Sequence, residues 1–525
     1  MNYINYKFRM ELLHMCNLKL VIVCLMIFIT GCGDDFLSPE PKNSVSTINF
    51  FENEDEVEQA LLGVYAKTQD MYELQFRLTE MRSDNTMGQW NEQNRGPHPN
   101  WLIDEFTMEI TNVIVEAYWA DVFEGIQRAN TVINQANNVE FSNEEVRNQM
   151  IGEAKFLRAF YYFSLVRLFG KVPLVLDQVE SPDDSFSTIE GRAEVETIYD
   201  QILADANDAA NNLPASFSST SDIGRATQGA ARALLADVHM TLQNFQEARS
   251  NLEQIINSGR YLLLNDYSKI FDINNKNNAE IIFAIQYAEL DNNRNLGSQF
   301  IYFFAPHNSS DNPETGTIVG DNAQEPVGLN LPTQSLINAY EPGDMRKDAS
   351  IGKFVDPANG ENLPSVQIAV GDTIFYAKKY DQPHEVFGAG NQNWQVYRYG
   401  QILLMMAEVI NEVEGPTAEA YGFINQIRQR AGLNNLETGL SQSEFRDAVT
   451  QEQRVELALE NDRWFDLLRK GIAKDVMVEH ALEVKDIQPH FREPVYVIED
   501  FKLLYPIPQR EISLNPNLGQ NPGWN

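Results

Sequence analysis

The sequence predicts a mostly α-helical protein, in which paired helices stack into a solenoid-like scaffold that carries a large irregular insert with short β segments. Three observations lead there. One apolar pattern runs from Glu153 to Phe169 without a helix breaker. Two stretches, Thr227–Gly259 and Ile402–Ala431, each read as helix, turn, helix. Between about 261 and 395 the 3.6-residue period is lost and Asn, Asp, Gly and Pro dominate.

Taken in order, residues 20–30 form an apolar run behind Lys19, long enough for a signal-peptide core and too short for a permanent membrane span. Its end, Ile29-Thr30-Gly31-Cys32, resembles a bacterial lipobox, which makes 1–31 a lipoprotein signal peptide and Cys32 the lipidated residue. More than one acyl chain on Cys32 would anchor the protein stably, where a single chain is marginal. Gly33-Asp34-Asp35-Phe36-Leu37 resembles the acidic export tag of surface lipoproteins, and Pro39, Pro41 and the serines around them suit a tether, so 32–50 is read as anchor and linker. The rest, 51–525, is expected to be one domain.

Within it, acids open a helix at Glu54 that runs to Lys67 with Val57, Leu61 and Val64 inward. Met71 to Trp101, with Trp90 and a Gly96-Pro97 break, reads as a long loop. Val113 to Ala136 is again helical. In the Glu153–Phe169 helix, Phe156, Phe160 and Phe163 form one face and Leu157, Tyr161, Leu165 and Leu168 another, so burial on several sides is required. Gly170 is expected to end that helix in the αL conformation, with Pro173 beyond it. Arg158 and Arg167, stranded on a buried helix, are expected to pair with acids. The Thr227–Gly259 pair, about 34 residues long, is like a tetratricopeptide unit. In the insert, Ile281–Tyr287 and Asp372–Tyr376 read as strands.

Composition narrows the chemistry. Forty basic residues against seventy-five acidic ones give a net charge of −35, which repels nucleic acid and anionic lipid surfaces. All three cysteines lie at or before Cys32, so no disulfide framework or cysteine metal site follows. The seven histidines show no metalloprotease spacing, and no nucleophile elbow or phosphate-binding loop occurs. Asp272–Glu280 faintly resembles a calcium loop, but Lys276 stands at a ligand position and the turn glycine is missing; calcium is the one cofactor the sequence leaves open.

Gly152–Val175 resembles the hallmark helix and G-x-V-P-L turn of the SusD/RagB family of outer-membrane nutrient-binding lipoproteins. Tyr340–Arg346, Ile427–Leu433, Glu452–Gly471 and the terminal LLYPIPQREISLNPNLGQNPGWN resemble further blocks of that family, with Leu459 where Phe is usual and Asn461-Asp462 where Gly is common. The resemblance implies a non-catalytic, surface-exposed protein that captures a glycan and delivers it to a SusC-like TonB-dependent outer-membrane barrel. Aromatic faces stack on the C–H faces of sugar rings, so the aromatics outside helical periods become candidates: Trp90, Trp101, Tyr302 and Trp394, with Phe303 and Phe304 beside them. A peptide cargo, as in RagB-like members, a surface glycosidase, and a helical scaffold without small ligand stay open as alternatives.

Overall fold

The computed structural model describes residues 50–88, 99–179, 190–288, 297–306, 327–355, 373–382, 390–484 and 498–524. Cys32, the signal segment, the tether up to residue 49 and Trp90 lie outside them. Among the described residues there are sixteen α-helices and six short strands.

The helices that build the scaffold are α1 (Glu54–Leu78), α3 (Val113–Gln135), α4 (Glu144–Phe169), α5 (Val195–Asn212), α6 (Gln228–Thr241) and α7 (Phe245–Asn257), then α11 (Tyr399–Glu414), α12 (Ala418–Arg430) and α13 (Gln442–Glu456). Each packs on the next in that order, and α11 takes both α12 and α13, so the array continues across the insert through the α7–α11 contact. Local chemistry sets the ends. Asn53, Asn112, Asn143, Thr227, Thr417 and Ser441 each accept a backbone N–H as N-caps, and Ser441 with Glu444 closes a capping box.

At the centre is α4. From Met150 onward only Ile151, Lys155 and Arg167 escape burial, as a helix apolar on two faces demands. Phe156 and Phe160 stack 6.3 Å apart and both meet the edge of Phe283, while Phe163 turns to Tyr199 of α5. The helix begins at Glu144, earlier than its apolar pattern, because Asn143 caps it. Its end differs from the αL expectation in one respect. Gly170 has φ 69° but ψ −119°, a glycine-specific conformation that turns the chain directly into an extended exit. Arg158 and Arg167 do face acids, Asp205 and Asp237, at 2.8 and 3.6 Å.

The expectation of a long loop from Met71 to Trp101 is corrected. Helix α1 continues to Leu78, burying Met71, Tyr72, Gln75 and Phe76, and the turn that follows, Thr79 to Asn85, is buried throughout. Glu80 holds it, accepting Leu459 N–H at 2.9 Å, Asn461 N–H at 3.0 Å and the Asn85 amide at 3.1 Å.

The insert is pinned at its neck. Strand β2 (Ile281–Ile285) pairs antiparallel with β6 (Trp394–Arg398), with Ile281 opposite Arg398 and Ile285 opposite Trp394, so the chain between leaves and returns at one place. Within it, β4 (Ile351–Val355) pairs with β5 (Thr373–Ala377), and β3 (Leu331–Pro332) pairs with β1 (Thr86–Met87). It also holds short helices α8 (Phe300–Phe304), α9 (Gln334–Ala339) and α10 (Arg346–Ser350), too short to show a period in the sequence.

Candidate functional site

The β1–β3 ladder organises the expected ligand side. Met87 lies opposite Leu331. On one flank, Gly88 follows β1 and lies against the indole of Trp101 on α2 (Pro99–Asp104): a Cβ at Gly88 would stand 1.6 Å from Trp101 Cζ3. The tryptophan therefore fills the space that a side chain would need. On the other flank, the segment entering β3 is hydrogen-bonded to α8, with Val327 N–H donating to Tyr302 O at 3.0 Å and Leu329 N–H to Phe303 O at 2.7 Å. The ladder thus roots both Trp101 and Tyr302, and both are half-buried.

Helix α8 divides its aromatics by face. Phe300 and Phe304, one turn apart, point into the core, whereas Tyr302 and Phe303 are partly exposed. Phe303 lies 5.4 Å from Tyr302 and beneath the guanidinium of Arg77, 4.5 Å from its ring centroid. Arg77 and Phe303 are the residues at this surface that the pattern analysis missed or left unranked, because Arg77 fell in a stretch read as loop.

Trp394, expected beside them as a second sugar-stacking wall, is in the core instead. It has no exposed surface, stacks on Tyr380 at 4.4 Å and 15°, takes the edges of Phe300 and Phe304, and donates its indole N–H to Glu460 O at 3.4 Å. No face is left for a sugar. Its position at the neck of the insert, opposite Ile285, explains this: a bulky ring there seals the junction between insert and array.

The densest charge lies elsewhere and is structural. Arg398 reaches Glu280 at 3.2 Å, Glu460 at 2.7 Å, and Glu456; Arg430 also meets Glu456; Arg346 holds Asp344 at 2.7 Å and Glu452 at 2.6 Å. Burial alone would raise the Glu456 carboxyl, but the guanidiniums of Arg430, Arg398 and Arg346 outweigh it and hold the group well below the usual range. Lys379 beside them is pushed down to about 8 by burial, with Glu460 acting against the shift. The blocks around Ile427–Leu433 and Glu452–Gly471 thus supply a matched internal ion cluster.

Asp272–Glu280 shows no calcium cradle. Asp272 caps a short 3₁₀ turn and pairs with Lys269 at 2.9 Å, Lys276 donates to Tyr287 O at 2.6 Å, and Glu280 belongs to the ion cluster. Among the described residues, no group of three or more His, Cys, Asp or Glu could hold a metal ion, and no helix is long and apolar enough to cross a membrane.

Two family models match the chain in tandem: "Starch-binding associating with outer membrane" over residues 35–240 and "SusD family" over 279–524. SusD-like protein P25 of Formosa agariphila is 28% identical, with 97% of this chain and 98% of that protein covered. Among solved structures, a laminarin-binding SusD-like protein superimposes with a TM-score of 0.72 at 24% identity, covering 90% of this chain and all of that one. Surface glycan-binding protein A from Bacteroides thetaiotaomicron in complex with laminarihexaose gives 0.71 at 22% identity, covering 89% and 99%. The fold, a helical array with a pinned loop-rich insert, is that of SusD-like proteins. The chain belongs to the SusD/RagB family.

Proposed function

We propose that the protein is a non-catalytic glycan-binding lipoprotein of the outer membrane, anchored through Cys32 and exposed at the cell surface. It captures an oligosaccharide and passes it to a TonB-dependent barrel. The observation that carries the binding site is the β1–β3 ladder, which roots Trp101 and Tyr302 on either flank and leaves both rings part-exposed. Trp90, outside the described residues, stays a candidate on its sequence position alone, two residues beyond Gly88. Stacking on these rings would supply affinity, and nearby polar side chains would orient the hydroxyls. The names of the matched family model and of the two glycan-binding structural neighbours support the cargo class.

Calorimetric titration of the purified mature chain with neutral oligosaccharides, alongside peptide mixtures and an assay for released reducing sugar, tests this reading. Saturable binding of a glycan without hydrolysis supports it. Binding of peptides alone would move the cargo to the RagB-like alternative, and release of reducing sugar would make the protein a glycosidase.

A further inference from the structure

Helices α1 and α8 meet through two successive rungs. Gln299, just before α8, donates its amide to Glu73 Oε2 at 3.4 Å, and one turn further along each helix Arg77 covers Phe303. The upper rung is electrically incomplete. Among the described residues Arg77 makes no ion pair within 4.0 Å, and its buried Nε has no hydrogen-bond partner. Other part-buried or buried arginines spend their donors on acids or carbonyls: Arg225 holds Glu153 at 2.8 Å, Arg469 meets both Glu408 and Asp466, and Arg82 and Arg192, without an ion pair, donate to Ile103 O at 2.9 Å and Leu518 O at 2.6 Å. A part-exposed guanidinium stacked on aromatic rings, with its buried Nε unpaired and no counter-ion in contact, is a good arrangement for receiving an anion.

Its neighbours reinforce that. The Glu73 carboxyl is pushed up to about 7 by burial, with Asp70 of its own helix and Asp121 of α3 adding to the shift and Arg77 opposing it. Gln299 is its hydrogen-bond partner, and the Tyr287 hydroxyl, itself pushed far up by burial, lies in its field. Arg77 is lowered by burial only to about 10, so it keeps its charge at neutral pH. Around and below pH 7, then, Arg77 loses the counter-charge that Glu73 supplies among the described residues.

We propose that Arg77, seated on Phe303 beside Tyr302, is an anion-reading position of the glycan site, and that the cargo carries acidic groups, carboxylate or sulfate ester, on its sugar rings. This inference rests on the proposed glycan site and deepens it. The two sources share one chemistry, an oxyanion with at least two equivalent charged oxygens that a guanidinium fork recognises.

The test uses the full mature chain and three probes of similar length: laminarihexaose as a neutral glycan, a hexagalacturonate, and a sulfated galactan hexasaccharide. At least one acidic probe should bind more tightly than the neutral one, and that preference should shrink as NaCl rises from about 50 to about 500 mM. Arg77→Gln should weaken the acidic probe about tenfold more than it weakens the neutral one, with Arg77→Lys in between. Glu73→Gln, which leaves the arginine in place, should abolish the tightening of acidic binding otherwise seen between pH 8 and 6. If Arg77→Gln weakens neutral and acidic probes equally, or neither, or if Glu73→Gln leaves the pH dependence intact, the anion-reading role is wrong. Neutral binding that still depends on Trp101 would then keep the glycan site itself standing. Loss of all glycan binding in the wild type would instead overturn the reading on which the inference rests.

Discussion

Arg158 of α4 grips Asp205 of α5 through a two-point fork, Nε to Oδ2 and Nη2 to Oδ1, each at 2.8 Å. Both residues are buried, and the remaining guanidinium nitrogen donates to Asn130 Oδ1 of α3 at 2.8 Å. One side chain thereby ties three consecutive helices of the array. Asp205→Ala should cost about 3–5 kcal/mol, because it leaves the guanidinium buried without its counter-ion. Urea unfolding of the variant measures this, and a loss under about 1 kcal/mol would mean that water replaces the carboxylate.

Much of that architecture was legible in the sequence because it is local. The α4 pattern, the Gly170 stop and the turn between α6 and α7 each follow from residues a few positions apart. The stretch from Met71 to Leu78 was not legible, since Glu73, Gln75 and Arg77 interrupt the apolar pattern. Their partners are distant in sequence: Gln75 Oε1 accepts the Tyr118 hydroxyl at 2.9 Å, and Arg77 lies on Phe303. The same limit explains Trp394. Its surroundings in sequence are polar, and it is rings brought in by the fold, Tyr380, Phe300, Phe304 and Tyr72, that bury it.

Gly88 and Trp101 give a prediction about the site's frame. Because the indole occupies the place of a Gly88 side chain, Gly88→Ala should force the ring outward or strain the turn, at about 1–3 kcal/mol. A shift in tryptophan emission together with a lowered melting temperature is the expected pair of signals. An unaltered spectrum would show that the ring has room to spare.

His480 sets a pH dependence. Burial, helped by Arg454 and opposed by Asp84, lowers its pKa to about 4 from the usual 6.5. As pH falls through 6.5 the unfolded chain takes up the proton first, so stability is lost between about 6.5 and 4, reaching about 3 kcal/mol at the lower end. His480→Leu, of similar volume and without a proton to gain, should show a smaller difference in urea midpoint between pH 7 and pH 4.5. Equal differences in both proteins would assign the acid sensitivity to carboxylates alone.

The lipid anchor is tested by a single atom exchange. If Cys32 carries the acyl chains, Cys32→Ser should shift the protein from the membrane fraction to the soluble one, with the helical content unchanged by circular dichroism. A variant that still sediments with membranes would remove the anchor from the proposal. Asp34→Asn with Asp35→Asn should leave it anchored but shielded from externally added protease.

The contrast between Trp101 and Trp394 separates binding from folding. Both are tryptophans in segments without a helical period, yet one is half-buried beside the β1–β3 ladder and the other lies wholly within an aromatic cluster. Trp394→Ala should therefore open a cavity under Tyr380 and Phe300 and cost about 3–5 kcal/mol of stability. Trp101→Ala and Tyr302→Ala should each weaken glycan affinity by about 1–3 kcal/mol, the scale of a lost binding anchor. For Tyr302→Ala the melting temperature should barely move, since its ring covers little of the core. Reading affinity and unfolding on the same three variants sorts the roles: if Tyr302→Ala and Trp101→Ala lower stability but leave affinity intact, both rings are packing, and the glycan surface must be sought away from the ladder.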